Sequence, residues 1–182
     1  PEADFRAKLE ELREQGFAGV NVTIPHKEAA YAAVDTHDEA AAHLGAVNTI
    51  LLTGGKISGH NTDGRGFIDS LSSARDWASG PALVLGAGGA ARAIVGALLA
   101  AGLSDIRVSN RTRARAEAVA ALADTPENSG TVRVFDWAAR AQAAEGATLL
   151  VNTTSLGMRG APALDMGLDI LAAKATVADI VY

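Results

Sequence analysis

The sequence of 182 residues contains no cysteine. That absence excludes a disulfide scaffold, a thiolate zinc site and a cysteine nucleophile. Aromatic residues make up only 4%, so the core has to be built from Ala, Val, Leu and Ile. Positive charge is short as well: 16 Lys and Arg against 21 Asp and Glu leave a net charge of −5, with an isoelectric point near 5.3. Such a chain carries no global field that would draw it to nucleic acid or to an anionic lipid surface. Long apolar runs are missing too. A bilayer span needs ~20 apolar residues, and the most apolar stretch, 93–103, is shorter and reads as a buried helix. What remains is a globular composition, 48% hydrophobic and 20% charged.

Periodicity divides the chain into two patterns. In the first, 5–15 reads as a helix stopped at Gly16, and 19–24 as a β-branched strand stopped by Pro25. Short helices follow over 28–34 and 38–44, the second ended by Gly45. The runs 47–53 and 56–59 flank Gly54-Gly55, a hairpin signal. A helix over 63–74 then bridges to the second pattern. There, strands over 82–85, 106–109, 131–135, 148–152 and 176–181 alternate with helices over 89–101, 113–123 and 136–144. Alternation of this length predicts a parallel sheet with right-handed crossovers, and unbroken Val, Leu and Ile predict burial on both faces. The expected architecture is α/β: a Rossmann-like doubly wound parallel sheet over residues 63–182, preceded by a smaller α/β domain over 1–62.

Gly86, Gly88 and Ala91 match the pattern G-x-G-x-x-[GA]. Here it leaves a strand and enters a helix within a βαβ unit, the context in which the motif means dinucleotide binding rather than an ordinary glycine-rich turn. Gly86 permits the tight turn, Gly88 lets a pyrophosphate approach the backbone, and the helix amides face the phosphates. An NAD-selective site carries Asp or Glu at the end of the next strand. This chain has Asn110-Arg111-Thr112-Arg113-Ala114-Arg115 there, three guanidinium groups and no carboxylate. Planar Arg donors suit a 2′-phosphate, and cations at a helix N-terminus oppose the dipole unless an anion joins them. The cofactor predicted is NADP.

Three segments of the first pattern place polar residues at strand ends: Asn21 to Lys27, Gly45 to Ile50 and Gly59 to Gly64. Singly, each has a bland explanation. Asn and Thr satisfy turn backbones, and Asp63 suits a helix cap. Together, and in order along the chain, they resemble the shikimate dehydrogenase family. The family's N-V-T-x-P-x-K matches Asn21 to Lys27, its G-A-V-N-T matches Gly45 to Thr49, and its N-T-D-x-x-G matches Asn61 to Gly66. In the second half, G-A-G-G-A-A-R matches Gly86 to Arg92, N-R-T-x-x-R-A matches Asn110 to Ala116, N-x-T-S-x-G-M matches Asn152 to Met158, and D-x-V-Y matches Asp179 to Tyr182.

The resemblance implies NADPH-dependent reduction of 3-dehydroshikimate to shikimate, in the cytoplasm, within chorismate and aromatic amino acid biosynthesis. It implies Lys27 and Asp63 as the catalytic pair, with Thr23, Asn48, Asp63 and Tyr182 on the substrate. Gly86, Ala87, Gly88, Gly89 and Ala90 would hold the pyrophosphate, and Asn110, Arg111, Thr112 and Arg115 the adenosine 2′-phosphate. Glu39 would stand near the cofactor and Ile180 against the nicotinamide. The partner is then a small molecule, shikimate or 3-dehydroshikimate, with no nucleic acid, membrane or metal, and the resemblance allows for a homodimer. Against the family's full pattern, the sequence reads as an internal portion that begins after a Ser-x-Ser strand and ends before a Gln-bearing helix. Two alternatives stay open: a quinate/shikimate dehydrogenase of broader specificity, and a non-catalytic metabolite sensor on the same scaffold. The four histidines lack metal-ligand spacing, and His26 and His60 neighbour the expected pair.

Overall fold

The computed structural model describes residues 2–23, 25–74, 76–124 and 130–180. The chain divides into two compact units, Pro1–Asp63 and Gly64–Tyr182.

In the first unit, α1 (Glu2–Glu14) ends at Gly16, whose φ is +85°. β1 (Gly19–Asn21), α2 (Lys27–Ala33), β2 (Thr36–His37), α3 (Glu39–Leu44), β3 (Thr49–Leu51) and β4 (Ser58–His60) follow. The sheet order is β1-β3-β4-β2, with β2 parallel to β4 and the other pairs antiparallel. Leu9 of α1, Ala30 and Ala33 of α2, Ile50 of β3, and Ile57 form the buried centre of this unit. Local chemistry sets the helix limits. The Asp38 carboxylate accepts from Ala41 N at 2.7 Å, the N-cap arrangement, and Gly45 closes α3 in the left-handed region.

The hairpin strands are shorter than 47–53 and 56–59 predicted. Leu51 pairs with Ser58, so six residues lie between the paired ends, with Gly54 and Gly55 at φ +82° and +83°. Leu52 and Ile57 leave the pairing to pack into the core, where they are almost wholly buried. Strand β2 has no counterpart in the sequence reading: two exposed residues give no period to detect.

Helix α4 (Asp63–Ser70) starts on the last residue of the first unit, and the second unit carries the rest of it with β5 (Ala82–Leu85), α5 (Gly89–Ala100), β6 (Asp105–Asn110), α6 (Arg113–Ala120), β7 (Thr131–Asp136), α7 (Arg140–Ala144), β8 (Leu149–Asn152) and β9 (Thr176–Asp179). The helix predicted over 63–74 stops at Ser70, whose hydroxyl donates to Phe67 O at 2.6 Å, and Leu71–Ser73 form a 3-10 turn. Residues 137–139 are likewise a 3-10 turn ahead of α7. The sheet is parallel throughout, in the order β7-β6-β5-β8-β9. Counted from β5, that is 3-2-1-4-5, the Rossmann-like doubly wound arrangement. Central strands β5 and β8 are buried at every residue, whereas edge strands β7 and β9 alternate. Burial on both faces therefore holds for the centre of the sheet and not for its margins. Leu83, Leu85 and Leu150 anchor a core cluster with Ala143, Ala144 and Ala147.

Candidate functional site

In the first unit, three segments meet at one carboxylate, that of Asp63. Lys27 opens α2, and its Nζ lies 2.6 Å from Asp63 Oδ2. Asn48 Nδ2 donates to Asp63 Oδ1 at 2.8 Å and to Thr62 Oγ1 at 3.0 Å. Asn48 Oδ1 accepts from Thr62 N and Thr49 Oγ1, both at 3.0 Å. The buried Asn48 amide is thus fully engaged within the protein. The Lys27 and Asp63 side chains keep 17% and 30% of their exposure, so the pair is screened from bulk water yet reachable.

Backbone bonds fix the frame around this pair. Val47 N donates to Lys27 O, Asn48 N to His60 O and Val22 N to Asn48 O. Asn61, only 6% exposed, bridges two of the segments: its Nδ2 donates to Ala46 O at 2.9 Å and its Oδ1 accepts from Asp63 N at 3.1 Å. Asn61, not Asp63, therefore supplies the oxygen at the start of α4, and the Asp63 carboxylate is left for Lys27 and Asn48. The sequence held a signal for Asn61, an Asn two residues before a helix start, placed for its side chain to accept from the backbone two residues on.

Thr23 is exposed and its carbonyl accepts from His26 N. Glu39 is exposed on the first turn of α3. His60 faces Asp38 Oδ2 at 3.3 Å and Ser58 Oγ at 3.2 Å. Tyr182 lies outside the described residues.

In the second unit, a cavity of about 140 Å3 opens at the C-terminal ends of β5, β6, β7 and β8. Its walls are Gly86, Ala87 and Gly88, then Asn110 and Arg111, then Trp137, and finally Thr153 to Leu156. Gly86 has φ +107°, and a Cβ there would collide with Thr153 Oγ1, so only glycine fits. Thr153 is itself fixed, its hydroxyl donating to Leu85 O at 2.7 Å. A Cβ at Gly88 or Gly89 would meet nothing within 4 Å, and no side chain caps α5. The uncapped start of this twelve-residue helix adjoins the cavity through Gly88.

Asn110 Nδ2 donates to Thr112 O at 2.9 Å and shapes the turn into α6. The three guanidinium groups of this segment differ in their partners. Arg113 is drawn to Asp136 Oδ1 at 2.8 Å and Glu117 Oε1 at 2.9 Å, and its pKa is raised chiefly by the Asp136 hydrogen bond. Arg111 and Arg115 are exposed, and neither forms an ion pair with another described residue. Gly89, Ala90, Thr112 and Arg115 lie on the adjoining turns rather than in the cavity wall, and Ile180 follows β9 with its N–H on Asn152 O.

The sequence reading assigned no role to Trp137 or to Thr153 through Leu156. Asn152 builds that last segment: it is 3% exposed, donates to Leu156 O and Asp179, and accepts from the Thr154 N–H and hydroxyl.

Residues 1–50 match the family described as shikimate dehydrogenase substrate binding domain, and residues 70–145 the one described as shikimate / quinate 5-dehydrogenase. The chain belongs to the shikimate dehydrogenase family. Among curated relatives in that family, a shikimate dehydrogenase (NADP(+)) from Rhodospirillum rubrum is 51% identical over 187 residues, covering 100% of this chain and 65% of its own. One from Paramagnetospirillum magneticum is 50% identical over 175 residues, covering 94% of this chain and 62% of its own. This chain thus spans just under two thirds of the length of these relatives. Among solved structures, the family's shikimate 5-dehydrogenase from Thermus thermophilus, in complex with NADP(H) and shikimate, superposes with a TM-score of 0.83 at 38% identity. That match covers 100% of this chain and 65% of the other. Among the described residues, no helix is long and apolar enough to cross a membrane.

Proposed function

We propose that this chain carries the hydride-transfer chemistry of an NADP(H)-dependent dehydrogenase that interconverts 3-dehydroshikimate and shikimate. One observation carries the reading: an amine and a carboxylate from distant segments, Lys27 and Asp63, meet at 2.6 Å with the second carboxylate oxygen held by Asn48. A proton donor fixed beside an acceptor is what reduction of a ketone to an alcohol asks of a protein. Membership of the family and the relatives' names point to the same reaction.

The residues of the second unit fit a dinucleotide phosphate. The Gly86–Gly88 turn and the uncapped amides of α5 would hold the pyrophosphate. Arg111 and Arg115, free of acidic partners among the described residues, would take the 2′-phosphate with Asn110 and Thr112 beside them. When bound, the nicotinamide supplies the hydride.

The chain's own residues manage the proton and the orientation. The Lys27 ammonium stabilises negative charge growing on the C3 oxygen and donates a proton to it. Asp63 accepts a hydrogen bond from the neighbouring hydroxyl and holds the Lys27 head group in place. Asn48 acts first by fixing the Asp63 carboxylate, because its amide is already engaged there. Thr23 and Tyr182 complete the substrate contacts in this proposal, with Glu39 and Ile180 assigned to the cofactor.

The test is to follow absorbance of the reduced cofactor with shikimate or quinate and NADP⁺ or NAD⁺. Turnover with shikimate and NADP⁺ is expected. Comparable turnover with quinate would widen the substrate class. Saturable shikimate binding with no turnover in any combination would replace the enzyme by a metabolite sensor.

A further inference from the structure

We infer that Trp137 forms the aromatic wall of an adenine site in the second unit. The inference deepens the dinucleotide reading of the same cavity and rests on it.

The argument is one of order along a sheet edge. Strands β5, β6 and β7 are neighbours and parallel, so their C-terminal ends stand side by side, roughly 4.8 Å apart per strand. In a doubly wound sheet the pyrophosphate sits at the glycine turn after the first strand, and the adenosine ribose at the end of the second. Here those places are Gly86–Gly88 after β5 and Asn110-Arg111 at the end of β6, and both line one cavity. The base attached to that ribose continues outward, to the end of β7. The residue lining the cavity there is Trp137, one position beyond Asp136, which is itself in register with Asn110.

Trp137 is built to stay in place. Part of its indole packs against the Leu83, Leu85 and Leu150 cluster. The Arg140 guanidinium carbon lies 4.9 Å from the ring centroid, within cation–π range, and Arg140 Nη1 donates to Trp137 O at 2.9 Å. Arg140 is held in turn by Asp165 O at 2.7 Å. A half-buried indole in a chain with only two tryptophans, held by Arg140 and the core cluster and lining a polar cavity, matches what a purine needs: an aromatic surface next to phosphate-binding groups.

With Trp77→Phe as background, Trp137 is the sole tryptophan and reports on its own surroundings. Adenosine 2′,5′-bisphosphate, which carries the base and both phosphates without nicotinamide, is expected to change Trp137 emission saturably. Nicotinamide mononucleotide is expected to leave it unchanged. In calorimetry, Trp137→Leu should weaken the bisphosphate by about 5- to 150-fold, the span of base–aromatic stacking, while Trp137→Phe stays within about threefold because a π-face remains. A urea midpoint for each variant checks that it is folded. Bisphosphate binding with unaltered emission, or equal affinity in Trp137→Leu, overturns the adenine assignment and leaves the dinucleotide reading intact. Failure of both NADP⁺ and the bisphosphate to bind the parent protein overturns the two together.

Discussion

Lys27 reaches Asp63 across 36 positions of sequence, and the two head groups meet at 2.6 Å. Nothing in the local pattern of either segment demands this. The meeting is made by the sheet, because β4 delivers the 61–63 turn and the Val47 N–H to Lys27 O bond delivers α2 to the same place. If that pair manages the proton, Lys27→Ala should lower kcat by roughly 10²–10⁴ with little change in the Michaelis constant for shikimate. Steady-state kinetics of the oxidation direction measure both. Near-normal turnover in this variant would remove Lys27 from the chemistry.

Asn61 tests whether position, and not only identity, matters at Asp63. Asn61→Ala leaves the Ala46 carbonyl and the Asp63 N–H unsatisfied, a cost of about 1–3 kcal/mol in stability for each buried group. Because small misplacements of a reacting group are expensive, kcat should also fall by about 10- to 100-fold at nearly constant Michaelis constant. Asn61→Ser restores an oxygen two residues before Asp63 but is too short to serve both partners. It should regain most of kcat and only part of the stability. Equal losses of kcat in the two variants would make Asn61 a general structural residue.

The proposed phosphate end of the site separates three arginines that look alike in sequence. Arg113 is already neutralised by Asp136 and Glu117, whereas Arg111 lines the cavity without an acidic partner among the described residues. Charge-assisted hydrogen bonds are worth about 1.5–3 kcal/mol, so Arg111→Ala should weaken NADP⁺ by roughly 10- to 150-fold in calorimetry and leave NAD⁺ nearly unchanged. Arg113→Ala should change either affinity by less than about threefold, as exposed ion pairs contribute little. A large, NADP⁺-selective loss in Arg113→Ala would reverse this assignment.

Asp35 sets an acid limit on the first unit. Its carboxylate accepts from Ile57 N at 2.7 Å and from Arg6 Nη1 at 2.8 Å, and the Ile57 hydrogen bond, followed by Arg6, holds its pKa below the ordinary value of 3.8. A depressed folded pKa means the stabilisation is complete above the unfolded value and lost as pH falls through the folded one. The difference in urea midpoint between the parent and Asp35→Asn should therefore be constant from neutral pH down to about 5 and shrink only below the ordinary aspartate range. A difference that vanished already between pH 7 and 5 would assign the effect to another group.

These residues also mark what sequence alone makes legible. Asp38 and Gly45 announce the ends of α3 because each end satisfies its orphan backbone groups locally. β5 and β8 announce themselves because both faces are buried, so every residue but the terminal Asn152 is apolar. β2 cannot be read at all, since its two exposed residues owe their strand geometry to β4 and not to their own pattern. At the site, the polar segments are visible as residue types in unusual places. The turning of the Asn48 amide onto Asp63 is not, and neither is the arrival of Trp137 beside Arg111, because both depend on which strand ends become neighbours. The pairing of Arg113 with Asp136 is hidden for the same reason: it joins α6 to β7 across 23 positions.

Two glycines on one helix give the sharpest test of packing. Gly64 and Gly66 both lie in α4, where replacing glycine by alanine favours the helix by about 1 kcal/mol. At Gly66 a Cβ would meet nothing within 4 Å, so the propensity gain should appear in full. At Gly64 the same atom would lie 2.7 Å from Ala93 O and 2.9 Å from Ala97 Cβ, on the face where α4 crosses α5. The obstacle is helix backbone, which has no rotamer to yield, and overpacking of this kind costs about 1–3 kcal/mol. The clash should outweigh the propensity. Gly66→Ala is thus expected to raise the urea midpoint and Gly64→Ala to lower it, in proteins that differ only in which of two positions two residues apart carries the methyl group. Equal shifts in both would mean that α4 does not rest on α5 through Gly64.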